Sequence, residues 1–248
     1  MDGKLDPLGK GLTTIAHACR AAVGPRRLLR GSGVVVAEDR AVCDVCRVSL
    51  AGAGRVLLTQ GQGESLQIES DENLLPYIAA VAREGTLALG FTKAARHLRI
   101  RPTVLRYHLT LETIATLRLA GVGDIRALSL DVGALEIHLS GAGDVAIASL
   151  HAGRLAVCLD GLGNVELGGQ ATAQEVRISG SGTYHAGELE SEAVDVMVSG
   201  MGDATVWATR TLRIRIPGDG SVKYYGRPQV RSRVGSLGQV ISLDEPKR

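Results

Sequence analysis

Four polar residues recur at one place in a repeated motif and could together bind a cation. Each stands three residues after the first glycine of a Gly-x-Gly sequence: Asp124, Asp144, Asn164 and Asp203. If the copies stack like neighbouring β-strands, about 5 Å apart, their oxygens form a ladder of the ligands that calcium prefers. Thr183 and Ser221 interrupt that ladder. We therefore favour a role in fixing each turn through hydrogen bonds to its own backbone, and keep Asp124, Asp144 and Asp203 as weak metal candidates.

Two aromatic residues near the end of the repeats could bind a ligand. They close a series made by the seventh residue after each leading glycine: Leu128, Ala148, Gly168, Gly187, Trp207 and Tyr225. Small residues followed by two aromatics predict a smooth strand surface that ends in an exposed aromatic ledge. Such a ledge suits a sugar ring, a partner subunit or the packing of a terminal segment. Trp207 and Tyr225 are accordingly the candidate ligand-binding residues.

Groups that commonly carry catalysis are scattered along the chain. Its histidines do not stand near a serine or cysteine at a spacing that would activate a nucleophile; they are His17, His97, His108, His138, His151 and His185. Carboxylates are not clustered as a polysaccharide-cleaving enzyme would need. The single pair Cys43-x-x-Cys46 falls in a predicted strand, where residues three apart point to opposite faces, and we interpret it as structural thiols. We predict no catalytic residue, no cofactor and no enzyme.

Charge and hydropathy exclude two further classes of function. The chain has 28 basic and 26 acidic residues among 248, so no strong field attracts nucleic acid, and we predict no nucleic-acid partner. A run of eighteen apolar residues is missing, which predicts no transmembrane span. The weakly apolar stretch 11–18 before Cys19 is too short and too polar for a clear secretion signal.

The motif that carries these residues has a fixed period. Its leading glycines stand at 121, 141, 161, 180, 200 and 218, and a degenerate copy spans Val48 to Gly54. Gly235-Ser-Leu-Gly238 is a candidate for closing the series. A repeat of about 20 residues is typical of a solenoid, in which each unit buries its apolar edge only against its neighbours.

Apolar residues alternate on both sides of each glycine pair, which predicts strands rather than helices. Leu135, Ile137 and Leu139 precede one turn, and Val145 and Ile147 follow it. The glycines are expected at corners of the coil, where positive φ or a close backbone approach excludes a Cβ. Outward residues before the turn, such as Arg118, His138, Cys158, Arg177, Met197 and Arg215, are expected to form a solvated column with cross-strand ion pairs.

Three features of the sequence belong together: the repeated Ser-Gly-x-Gly-Asp strings, the segment Asp71-Glu-Asn-Leu-Leu-Pro-Tyr-Ile78 and the segment Val222-Lys-Tyr-Tyr-Gly-Arg-Pro228. In combination they resemble the bacterial head GIN domain family, whose members are also called putative auto-transporter adhesin domains. The resemblance covers roughly residues 31–243. It implies a right-handed, single-stranded parallel β-helix and an extracytoplasmic location, in the periplasm or on the cell surface.

These observations together predict an all-β solenoid with coils of about 20 residues. We expect a flexible or capping segment at 1–30, the solenoid at 31–243 with an irregular segment at 71–110, and a disordered tail at 244–248. The predicted function is a non-enzymatic structural or adhesion-type binding module of the bacterial cell envelope. Its expected partners are a second copy or a surface glycan or protein. The alternative is a glycan-binding or glycan-processing protein that uses the aromatic ledge.

Overall fold

The structure is a computed structural model that describes residues 27–243, and regular structure there is almost entirely β-strand. The first half contains β1 (Arg27–Arg30), β2 (Val35–Arg40), β3 (Arg47–Leu50), β4 (Ala53–Gln60), β5 (Ser65–Asp71), β6 (Ile78–Arg83), β7 (Thr86–Phe91), β8 (Leu98–Arg101) and β9 (Leu105–Leu111). The second half contains β10 (Thr116–Leu119), β11 (Val122–Leu139), β12 (Val145–Leu159), β13 (Asn164–Ile178), β14 (Thr183–Val198), β15 (Asp203–Ile216), β16 (Ser221–Tyr225), β17 (Gln229–Val234) and β18 (Gln239–Ser242). Short 3-10 helices occupy Leu75–Tyr77 and Lys93–His97.

From β10 onward the chain winds as a parallel solenoid with coils of about 20 residues, which confirms the predicted fold. Each strand pairs with its equivalent in the next coil. One inward column consists of Ile137, Val157, Val176, Val196 and Ile214, all fully buried or nearly so. Because burying one such side chain stabilises by roughly 1.5–3 kcal/mol, the aliphatic columns supply the core of every coil.

The corner glycines are required by close packing between coils. A Cβ on Gly161 would lie 2.2 Å from the carbonyl oxygen of Gly141, and one on Gly163 would lie 1.7 Å from that of Gly143. Neither Gly161 nor Gly163 has φ in the left-handed region. At these positions close approach, rather than positive φ, explains why the motif repeats.

The coil formed by β3 and β4 lies between two segments that both come later in the sequence. On one side Val48 pairs with Leu117 and Gly54 with Gly123, so the degenerate copy is a true coil of the stack. On the other side β3 pairs with β7, and β4 pairs with β9, all in parallel. Chain order and stacking order therefore differ at this end.

The segment 71–110, expected to be irregular, contributes strands β6 to β9. β6 runs antiparallel to β7, β5 runs antiparallel to β9, and β2 runs antiparallel to β5. These antiparallel strands lie at the end of the stack that precedes the repeats. A hairpin reverses the chain direction, so its residues cannot follow the 20-residue period that reveals the other coils.

Asp71, at the end of β5, fixes the loops around this antiparallel end. Its carboxylate is fully buried and accepts hydrogen bonds from the backbone N–H groups of Gly33 at 2.9 Å and Thr103 at 2.8 Å. Burial by itself would raise the pKa of Asp71, but these hydrogen bonds outweigh it and hold the pKa below its usual value. Asp71 thus joins three separate parts of the chain as a carboxylate.

The opposite end of the solenoid is formed by the last strands of the described residues. β17 pairs with β15 and β18 pairs with β16, so the corner at 235–238 stacks on the corner at 217–220. Gly235 and Gly238 thus belong to the last corner in the series. The predicted tail 244–248, the apolar stretch before Cys19 and most of the expected segment 1–30 lie outside the described residues; β1, at 27–30, pairs with β8.

Candidate functional site

A long groove runs along the outer surface of the strands that follow the corners. It has a volume of about 1300 Å³. One column of residues in register crosses it, one from each coil: His108, Leu57, Arg126, Ala146, Glu166, His185 and Thr205. Seven strands at about 4.8 Å give the column a length near 29 Å. The groove therefore suits an extended ligand better than a compact one.

Small residues leave open space along part of this groove. Ala146, Ala148, Gly168 and Gly187 lie along it, and Leu128 stands 85% exposed beside them. Gly168 and Gly187 also lie where the 19- and 18-residue repeats shift the strand register, between Glu166 and Gly168 and between Ala186 and Glu190. The predicted smooth shelf exists, but these shifts bend its line of residues.

Tyr225 closes one end of the groove. A Cβ on Gly187 would lie 2.9 Å from Cε2 of Tyr225 and 3.3 Å from Cγ2 of Thr205. The ring of Tyr225 therefore reaches across the neighbouring coil and rests where Gly187 leaves room for it. Any larger residue at 187 would displace the ring.

Trp207 is next to Tyr225 in register but does not line the groove. On its other side it pairs with Glu190 instead of Gly187, because of the register shift. Its Cδ1 lies 3.3 Å from the position of a Cβ on Gly226. Both aromatics are half-buried rather than exposed, so the structure separates the two members of the expected ledge and brings only Tyr225 to the groove.

Charged groups occupy both ends of the groove. At one end His108 contacts Glu69 at 3.4 Å, and Arg106 pairs with the same carboxylate at 3.2 Å. The hydrogen bond from His108, together with Arg106, holds the pKa of Glu69 below its usual value against the effect of burial. At the other end lie His185 and Glu188, so a ligand there meets both hydrogen-bond donors and acceptors.

The aspartate ladder is tied together by hydrogen bonds between coils. Asp124 pairs with Arg55 at 3.0 Å. Asp144 accepts from the backbone and side-chain nitrogens of Asn164, and Asp203 accepts from Ser221. The expected bonds within each turn are thus replaced by bonds to a neighbouring coil. Among residues 27–243, groups of three or more His, Cys, Asp or Glu that could hold a metal ion do not occur.

Comparisons with known proteins identify the family. The family described as "Putative auto-transporter adhesin, head GIN domain" matches residues 46–228. The chain belongs to the head GIN domain family. A comparison of this head GIN domain with curated protein sequences finds no match.

Solved structures share the fold of this head GIN domain. A "putative adhesin" from Bacteroides fragilis NCTC 9343 is 28% identical, with a TM-score of 0.81 over 87% of this chain and 100% of that chain. A "putative adhesin" from Parabacteroides merdae ATCC 43184 is 20% identical, with a TM-score of 0.69 over 88% of this chain and 99% of that chain. A "putative lipid binding protein" from Parabacteroides distasonis ATCC 8503 is 19% identical, with a TM-score of 0.73 over 88% of this chain and 100% of that chain.

The face of the head GIN domain before the corners is a network of ion pairs. The predicted column from Arg118 to Arg215 is in register, and acidic residues of the neighbouring column pair with arginines. Glu175 pairs with Arg154 and Arg177, and Asp195 pairs with Arg213 and Arg215. All of these side chains are partly or largely exposed, so each pair contributes little to stability. Solubility and alignment of the coils account for this face.

The cysteine pair lies outside regular structure. Cys43 and Cys46 precede β3 in a loop, so the prediction that they lie in a strand is wrong. Asp44, between them, has φ of 57°, and the Glu64 carboxylate accepts from the N–H of Val45 at 3.0 Å. Both cysteines are free thiols.

In the described part of the chain, no helix is long and apolar enough to cross a membrane.

The residues five positions after each leading glycine were not among the predicted site residues. These are Arg126, Glu166 and His185, with Ala146 and Thr205, and they form the central column of the groove. The period was sufficient to find them, since they share one offset. The period could not predict that His108 lies in the groove, because His108 belongs to β9, which lies outside the repeats.

Proposed function

We propose that this head GIN domain is a non-enzymatic, adhesion-type binding module of the bacterial cell envelope that holds an extended ligand in the groove. The observation that carries the proposal is the groove itself, about 1300 Å³ and crossed by a column of seven residues. Sites for compact ligands are smaller, typically about 300–1000 Å³. The adhesin descriptions of the family and of the solved relatives support this class of function.

The arrangement of groups in the groove supports binding rather than catalysis. His108 and His185 lie five strands apart in the column, about 24 Å at the usual spacing. Glu166 and His185 are neighbours in register, and both face outward. Glycoside cleavage commonly uses two carboxyl groups that flank one bond, whereas this groove offers contacts spread along its length.

One observation favours a glycan as the ligand. Tyr225 presents an aromatic ring at the closed end of the groove, with the polar side chains of His185 and Glu188 also lining it. An aromatic ring packs against the apolar face of a sugar, and neighbouring polar groups bond to its hydroxyls. A glycan would place one ring on Tyr225 and extend along the small residues toward Arg126.

The test is binding of the purified protein to labelled oligosaccharides and to bacterial cells. Ala148→Trp fills the open part of the groove, and Tyr225→Ala removes its closed end. We expect both to lower binding by about tenfold or more. Trp207→Ala is the matched control, because Trp207 lies beside Tyr225 but outside the groove. Circular dichroism would verify that each variant is folded.

Equal loss of binding in the Trp207 and Tyr225 variants would argue against the groove as the site. Undiminished binding of Ala148→Trp would overturn the adhesion proposal in this form. Periodate treatment of the cells separates the two ligand classes: loss of binding supports a glycan, and retention supports a surface protein.

A further inference from the structure

The corners of the solenoid carry an apolar ridge that neither the core nor the groove uses. The middle residue of each Gly-x-Gly motif lies at the apex of a corner, and the seven motifs supply Ala53, Val122, Ala142, Leu162, Ser181, Met201 and Asp219. We name the first six residues the corner ridge; the charged Asp219 follows it in the next coil, beyond Met201. Val122 is 66% exposed, Leu162 74% and Met201 69%. Three large apolar side chains thus stand exposed in one row, separated by small residues, and we interpret this row as an interaction surface.

Backbone contacts keep the ridge in line. Val122 is in register with Ala53 and with Ala142. The N–H of Leu162 bonds to Gly141, that of Ser181 to Gly161, and that of Met201 to Gly180. One side chain per coil therefore projects at a spacing of about 4.8 Å, and the six coils span about 24 Å.

Large and small residues alternate along the ridge, and this makes it complementary to a reversed copy of itself. We propose that two copies of this chain pair through their corner ridges, antiparallel and related by a two-fold axis. In the proposed register each large residue lies opposite a small one, as follows: Met201 opposite Ala53, Val122 opposite Ser181, and Leu162 opposite Ala142 of the second copy. A two-fold axis makes every such contact twice.

The residues two positions after the apex fit the same register. This flank consists of Arg55, Asp124, Asp144, Asn164, Thr183 and Asp203. In the antiparallel pairing Arg55 faces Asp203 of the second copy, Asp124 faces Thr183, and Asp144 faces Asn164. Opposite charges meet at both ends of the contact, and no two carboxylates oppose each other. Arg55 is exposed on 46% of its side chain while paired with Asp124, so it can also reach outward.

Neighbouring registers are unfavourable. A shift of one coil in one direction places Val122 opposite Leu162, and Asp144 opposite Asp144 of the second copy. A shift in the other direction places Val122 opposite Met201, and Asp124 opposite Asp203. Both shifts join large to large and carboxylate to carboxylate, which costs packing and charge energy together.

The same carboxylates disfavour a lipid surface as the occupant. Asp124, Asp144 and Asp203 follow the apex by two residues, and Asp160 precedes Leu162 by two. They would approach anionic headgroups together with the ridge and be repelled. The ridge is narrow, so the expected dimer belongs to the weak class that buries less than about 1200 Å² in total.

Sedimentation velocity of the whole chain from low to high micromolar concentration tests the proposal. We expect a reversible monomer–dimer equilibrium, weakened about tenfold or more by Leu162→Asp. Leu128→Asp is the matched control, because Leu128 is equally apolar and more exposed but lies at the groove. That variant is expected to dimerise normally, which also separates this proposal from the one for the groove.

A mixing experiment tests the antiparallel register itself. Arg55→Asp and Asp203→Arg each place like charges opposite one another in their own homodimers, so each variant alone should be monomeric. In a mixture, both contacts of the heterodimer join an Asp to an Arg, and dimerisation should return. A wild type that is monomeric at all concentrations, or a mixture that stays monomeric, would overturn the proposal. So would Leu162-dependent binding of the wild type to neutral phosphatidylcholine vesicles without dimer formation.

Discussion

Substitution of Gly161 by alanine tests whether the corner glycines are explained by close packing between coils. The added Cβ would lie 2.2 Å from the carbonyl oxygen of Gly141, whereas real contacts of this kind stay beyond 3.0 Å. The two corners would have to separate by about 0.8 Å. The hydrogen bond from Leu162 to Gly141, already 3.2 Å long, would then be lost.

The expected loss of stability follows from these two effects. Overpacking of this kind costs about 1–3 kcal/mol, and one or two backbone hydrogen bonds contribute about 0.5–1.5 kcal/mol each. The free energy of unfolding should therefore fall by about 1.5–6 kcal/mol. Because folded domains are typically stable by only about 5–15 kcal/mol, a loss of this size should be plain in a urea titration.

Gly133→Ala is the matched control for this experiment. Gly133 lies in β11, its φ is ordinary, and a Cβ there would have no heavy atom within 4 Å. Its substitution should leave stability unchanged or raise it by about 0.4–1 kcal/mol through the unfolded chain. Unfolding can be followed by circular dichroism and by the fluorescence of Trp207, the single tryptophan. Equal midpoints for the two variants would refute the explanation by close packing.

Two further predictions concern buried polar groups. The pKa of Asp71 is lowered in the folded state, so its stabilising contribution is present above the unfolded pKa and is lost as pH falls through the folded pKa. Asp71→Asn should therefore lower the free energy of unfolding by about 1–3 kcal/mol near neutral pH. A difference in stability between variant and wild type that does not narrow in acid would contradict this. Tyr184 donates to Gln174 at 2.8 Å inside the core, whereas the hydroxyl of Tyr107 is buried with no hydrogen-bond partner in the described structure. Tyr184→Phe should therefore destabilise by about 1–2 kcal/mol while Tyr107→Phe is neutral or stabilising, and urea midpoints in the reverse order would contradict the hydrogen-bond assignment.

The repeated part of the fold was predictable because one physical cause acts at every coil. Each corner must exclude a Cβ, so glycines at 141 and 161 mark the same place in successive coils, and alternation around them shows which residues face inward. Residues 71–110 carry no such mark. Although β7, β8 and β9 also have parallel partners, β6 pairs antiparallel with β7 and β9 pairs antiparallel with β5. Antiparallel pairs need neither a corner glycine nor a fixed period.

The candidate site was predictable only in part, for a related reason. The offset from the glycines located Tyr225 and the small residues of the groove. It also grouped Trp207 with them, because counting residues assumes that every coil has the same length. Coils of 19 and 18 residues shift the register at Gly168 and Gly187, and such a shift decides which aromatic side chain reaches the groove.

The coil formed by residues 47–60 has a consequence for the order in which the chain folds. As the chain emerges from the ribosome or from a secretion pore, this coil appears first among its neighbours, yet both of its pairing strands, at 86–111 and from 116 onward, arrive later. Until those strands are made, this coil has no parallel strand to pair with. Val48 must then pair with Leu117, which lies 69 residues further along the chain. Growth from the first coil outward, as in a simple repeat array, is therefore closed to this end of the molecule. The regular coils after residue 116 can stack on one another as they are made. The beginning of the solenoid, in contrast, is completed by closure of a long loop. Its edge strands stay exposed to other chains until that closure occurs.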